Sequence, residues 1–98
     1  MNFGERIKEL RESKELLQRQ LAATLEIDTP MFSKIERGER RAKREQVILL
    51  AELLQADVQE LLTLWLAEQI YDLVKDEGVA SDALHVTEEK LKYNQNKD

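Results

Sequence analysis

The 98 residues fit a single domain and leave no room for a separate catalytic one, and the absence of cysteine excludes disulfides and thiolate metal sites. No apolar run approaches the ~20 residues of a membrane span, and the opening Met1-Asn2-Phe3-Gly4-Glu5-Arg6 lacks the cationic-then-apolar pattern of a signal peptide, so a cytoplasmic protein is expected. The net charge of −5 hides a division: residues 1–44 carry 11 Lys/Arg against 8 Asp/Glu, and residues 45–98 carry 4 against 12. A polyanion responds to the local patch it meets, so the basic first half would face it and the acidic second half would turn away.

In chain order the periodicity predicts five to six helices and no strand. Asn2 caps the first helix, with Glu5 three residues on completing a capping box and Phe3, Ile7 and Leu10 on the inner face. Gln18 to Leu25 reads as a short second helix with Leu21, Ala22 and Leu25 inward. Asp28 caps a third, Pro30 sits in its first turn where a missing N–H does no harm, Phe32 and Ile35 point inward, and Gly38 ends it. A fourth helix spans about Arg44 to Leu54 with Val47, Leu50, Ala51 and Leu54 at helical spacing. Asp57-Val58-Gln59-Glu60 reads as another capping box and opens a long fifth helix to about Asp76. A weaker sixth helix is expected from Ser81 to Leu91, with Asn94-Gln95-Asn96-Lys97-Asp98 as a frayed polar end.

Two short helices separated by Glu26-Ile27-Asp28, with Ile27 as an apolar plug, have the spacing of a helix-turn-helix over about residues 18–37. The segment Leu17-Gln18-Arg19-Gln20-Leu21-Ala22, followed by Phe32-Ser33-Lys34-Ile35-Glu36-Arg37-Gly38, resembles the Cro/cI-type (XRE) family of regulators. The resemblance covers about residues 3–63. It implies an all-α, lambda-repressor-like DNA-binding domain over residues 1–63, with a long fifth helix and a C-terminal helical extension at 64–98. Two departures concern the turn geometry: Leu17 stands where the family usually caps the second helix with Thr or Ser, and Glu26 stands where it commonly has Gly.

With Phe32 and Ile35 inward, Thr29, Pro30, Ser33, Lys34 and Arg37 are left facing out on the third helix, the positions that reach the major groove in the family. Lys34 can donate to guanine O6 or N7, Ser33 can pair with several bases, and Thr29 and Pro30 can meet a thymine methyl. Gln18, at the start of the second helix, is expected on a phosphate oxygen, as the matching family residue is. Residues 34–44 are strongly basic, and Arg40, Arg41, Lys43 and Arg44 are the phosphate candidates; such a loop is ordinarily only solvated, but beside this motif contact with DNA is the better reading. The resemblance also implies an ion pair between Arg11 and Glu36 beneath the DNA-facing surface.

The fifth helix is apolar around much of its circumference, more than one face needs. The surplus predicts a homodimer with Leu62, Trp65, Leu66, Ile70 and Leu73 at its interface, which also suits a two-fold operator. Met31 could meet a base or the partner helix. His85, the only histidine, makes a poor metal site, and no metal, cofactor or small-molecule effector is expected. No Gly-rich phosphate loop or nucleophile–base pair suggests an enzyme. Small family members of this kind include restriction–modification controllers, phage repressors and antitoxins, the last adding a protein-binding alternative. Autoregulation by dose is the simplest mechanism for a bacterial regulator of this size.

Overall fold

The computed structural model describes residues 1–95; Asn96, Lys97 and Asp98, part of the tail expected to fray, lie outside them. Among the described residues six helices and no strands form: α1 Phe3–Ser13, α2 Gln18–Thr24, α3 Thr29–Glu36, α4 Arg44–Leu54, α5 Val58–Val74 and α6 Ala80–Gln95. The first is opened by the expected capping box, Asn2 Oδ1 accepting from Glu5 N at 2.8 Å while Glu5 Oε1 accepts from Asn2 N at 3.3 Å. Asp28 caps α3 by accepting from Met31 N at 2.8 Å. Leu17 offers α2 no side-chain acceptor; Gln20 Oε1 takes the Leu17 N–H instead, at 2.7 Å.

Four helix ends repeat one closing pattern. After α1, α2, α3 and α4 a residue turns left-handed: Glu15 (φ 56°), Glu26 (φ 58°), Gly38 (φ 77°) and Gln55 (φ 53°). The next amide then reaches back five residues, as in Leu16 N to Arg11 O, Ile27 N to Ala22 O, Glu39 N to Lys34 O and Ala56 N to Ala51 O. Three of the residues that follow the turn (Leu16, Ile27 and Ala56) pack on the core, which is what holds non-glycine residues in a conformation costing ~1–2 kcal/mol. Glu26 therefore adopts the geometry of the glycine it replaces, and Ile27 is the plug.

The chain divides into two compact units, Met1–Glu68 and the remainder from Gln69. The first holds the core: Phe3 and Ile7 of α1, Leu21 and Ala22 of α2, Phe32 and Ile35 of α3, Val47, Leu50, Ala51 and Leu54 of α4, and Leu61 of α5. There α3 packs on α1 and α2, and α4 on the same pair. The α1–α3 crossing is close enough that a Cβ on Gly4 would stand 2.8 Å from the Ile35 carbonyl oxygen, which explains a glycine in a helix.

Three expectations need correction. Asp57 accepts from Gln59 N at 2.9 Å, but Glu60 does not fold back to complete a box: its carboxylate is held by Arg6 of α1, at 3.1 Å from Nε. The longer-range charge wins over the local cap. Helix α5 ends at Val74 rather than Asp76. Helix α6 runs on through Asn94 and Gln95, which were expected to fray: no Gly or Pro follows Gly78, and the Glu88–Lys92 pair at 3.0 Å supports the final turns.

Candidate nucleic-acid interface

On α3 the helical period separates two faces. Phe32, Ile35 and Glu36 are buried, while Pro30, Lys34 and Arg37 are exposed and Thr29 and Ser33 half-buried. These five outward residues thus share a face, but they are not equally available. Arg37 Nε donates to Glu39 Oε2 at 2.7 Å and its Nη1 to Ser33 Oγ, so charge and hydroxyl are already engaged. The Arg37 guanidinium holds the Glu39 carboxyl below its ordinary range, and Glu39 in turn raises Arg37. Lys34 is exposed and, among the described residues, makes no ion pair.

Beneath this face lies the expected ion pair. Arg11 Nε meets Glu36 Oε2 at 2.7 Å and Nη2 meets Oε1 at 3.1 Å, a two-pronged contact, while Nη1 donates to the Leu16 carbonyl at 3.0 Å. Only 2 % of the Glu36 side chain and 11 % of Arg11's are exposed. The hydrogen bond to Glu36 raises the already high pKa of Arg11, so this cation persists at every working pH. Gln18, expected on a phosphate, joins the network: its Nε2 donates to Glu36 Oε1 at 2.9 Å, which leaves one amide hydrogen for a phosphate. The pair therefore ties α1, the start of α2 and the end of α3 into one frame.

The loop after α3 brings its cations to the same place. Arg40, Arg41 and Lys43 line a hollow of ≈ 240 Å³ together with Ile27, Met31, Ile35 and Gln46. Three phosphate candidates are thus gathered beside α3, and half-buried Met31 forms part of the wall. Arg44 stands 5.8 Å over the Trp65 ring, a cation–π contact on its own chain.

Trp65 carries a role that sequence reasoning missed. Its Nε1 donates to the Ala42 carbonyl at 2.7 Å, so α5 holds the basic loop by its middle. The sequence signal was Ala42 itself, a small apolar residue, 3 % exposed, inside Arg-Arg-Ala-Lys-Arg. Trp65 and Leu62, both expected at a dimer interface, pack against their own chain's core, whereas Leu66, Ile70 and Leu73 remain 49 %, 43 % and 78 % exposed.

An all-α unit with two short helices set around a tight turn, the second presenting polar residues, defines a helix-turn-helix protein. A family model described as a helix-turn-helix domain matches residues 2–64, and the chain belongs to that family. No curated protein and no solved structure matches the chain significantly. Membership supports DNA binding by the α2–α3 unit, and the family is typically non-enzymatic. No helix among the described residues is long and apolar enough to cross a membrane, and no group of three or more His, Cys, Asp or Glu could hold a metal ion among them.

Proposed function

We propose that the chain is a transcription regulator of the Cro/cI (XRE) type that binds double-stranded DNA sequence-specifically as a homodimer on a palindromic operator. The observation that carries this reading is the hollow beside α3, where Arg40, Arg41 and Lys43 stand next to the helix that exposes Lys34 and Pro30. Cations on a loop flanking a groove-reading helix are placed to fix its register on the phosphates, while the helix face reads base edges. In this reading Thr29, Pro30, Ser33, Lys34 and Arg37 face the bases, and Gln18, Arg40, Arg41, Lys43 and Arg44 face phosphates. Residues 1–63 are then the DNA-binding domain and 64–98 the dimerisation extension. Control is through the protein's own concentration in a bacterial cytoplasm, as in a restriction–modification controller, with no effector or cofactor.

Selection of bound duplexes from a random pool tests this. The expected product is a two-fold symmetric consensus whose half-sites lie one helical turn, ~34–36 Å, apart. A pool that never departs from random sequence would end the sequence-specific reading.

A further inference from the structure

Glu39 is an anion on a segment that otherwise gathers cations: residues 34–44 hold six Lys/Arg against two Glu. The other of the two, Glu36, is buried on Arg11, whereas 55 % of the Glu39 side chain is exposed. A carboxylate standing there repels phosphates, and an exposed ion pair adds little to stability. Neither phosphate binding nor folding explains its placement.

What the carboxylate does is fix a guanidinium. Its backbone is anchored to the end of α3, Glu39 N donating to the Lys34 carbonyl at 2.9 Å behind the left-handed turn at Gly38 (φ 77°). From that anchor Oε2 accepts from Arg37 Nε at 2.7 Å and Oε1 accepts from Nη2 at 3.4 Å, so the carboxylate covers one side of the fork. Ser33 Oγ, one turn back on α3, accepts from Nη1. Three of the five guanidinium hydrogens are committed, and two remain, one on each terminal nitrogen. The Arg37 hydrogen bond, with Lys34 adding its charge, keeps the Glu39 carboxyl below its ordinary range.

We propose that Glu39 is a specificity-determining residue: braced by Glu39 and Ser33, Arg37 presents its two remaining N–H groups as a preset fork to the O6 and N7 acceptors of a guanine. This rests on the regulator reading above and goes beyond it, giving a residue outside the base-facing set control over base choice. An unbraced arginine at the end of α3 is free to swing to the nearest phosphate, where it adds affinity and no discrimination. Bracing removes rotamer freedom before DNA arrives, so less is lost when the two bonds to the base form. The carboxylate also repels a phosphate approaching the same guanidinium, which turns the pair away from the backbone and toward an uncharged base edge. Glu39 thus lowers affinity for any duplex and raises discrimination at one base pair.

Binding of the full chain to its selected operator, to single-base variants of that operator and to random duplex tests this with Glu39→Ala, Arg37→Ala and the double variant. Arg37→Ala should lose discrimination at one guanine per half-site by about 10-fold or more. Glu39→Ala should lose discrimination at that same base pair by about 5-fold or more, yet bind random duplex about 2-fold more tightly, since an anion has left. In the double variant the loss should equal that of Arg37→Ala alone. The urea midpoint of Glu39→Ala should match the parent's. Tighter binding of Glu39→Ala to every duplex alike overturns the proposal, because the carboxylate is then only a repelling charge. Unchanged binding overturns it too, and so does weaker binding of all duplexes or a further loss of discrimination in the double variant. A lowered urea midpoint makes the pair a structural one and overturns the proposal as well. The regulator reading is judged on the parent protein alone: a parent that prefers operator to random duplex keeps that reading standing through any of these failures.

Discussion

Removing the Glu36 carboxylate leaves the Arg11 guanidinium buried with only the Leu16 carbonyl and takes the acceptor from Gln18. Breaking a buried pair from one side costs about 3–5 kcal/mol, so Glu36→Ala should lower the denaturation midpoint sharply and weaken every duplex alike. The double substitution Arg11→Met with Glu36→Met leaves no uncompensated charge and should recover most of that stability in a urea titration. If the double variant is no more stable than Glu36→Ala, the pair is not the cause. At Glu26 the left-handed backbone (φ 58°) strains a residue with a Cβ, and Glu26→Gly should gain about 0.5–1 kcal/mol. That is a Tm rise of about 2–8 °C by calorimetry; a fall would mean the unfolded-state entropy of glycine dominates. If α3 reads base edges as proposed, Lys34→Ala should relax preference at one base pair per half-site by ~1–3 kcal/mol, whereas Arg40→Ala should weaken operator and random duplex equally. Binding of both variants to single-base operator variants separates the roles, and equal losses on all duplexes would make Lys34 a phosphate contact.

Helix α5 gives the core only Leu61, yet it anchors the basic loop through Trp65. Trp65→Phe keeps the ring but loses the 2.7 Å bond to the Ala42 carbonyl, which then lies without its donor. The expected outcome is about 1–2 kcal/mol of lost stability together with weaker duplex binding, because the hollow of Arg40, Arg41 and Lys43 is no longer pinned. Unchanged affinity in fluorescence anisotropy would show that the loop orders itself on DNA. Much of this architecture was legible in local patterns. Asn2 and Asp28 announced their helices because a cap acts within three residues, and the 3.6-residue period of Phe32 and Ile35 fixed which face of α3 is outward. The Trp65–Ala42 anchor spans 23 residues and leaves no periodic trace, so it was not legible. Glu60 misled for the same reason, since Arg6 lies 54 residues away and outcompetes the local cap. The closures at Glu15 and Gln55, which reach back five residues, have no glycine to mark them, and the half-buried neighbours that hold them are a tertiary effect.

Charge distribution becomes a property of the whole molecule once a polyanion is present. Four cations, Arg40, Arg41 and Lys43 of the loop and Arg44 at the start of α4, stand in one copy, while residues 45–98 carry 12 acidic against 4 basic residues. A dimer doubles both, offering about eight phosphate-neutralising groups, so log affinity should fall against log salt with a slope of about −7. Between ~50 and 200 mM salt that is about a 10⁴-fold loss. Arg40→Ala removes one cation per half-site and should make the slope shallower by about 2, at any duplex sequence. The acidic second half sets a control on this: if it lies away from DNA, Asp72→Asn and Glu77→Gln change the net charge without changing the slope, since only neutralised phosphates release counterions. A slope that shifts as much for Asp72→Asn as for Arg40→Ala would mean that the field of the whole chain, and not the patch beside α3, governs binding. Measuring all three variants on one operator and one random duplex, over the same salt series, separates local contact from global charge.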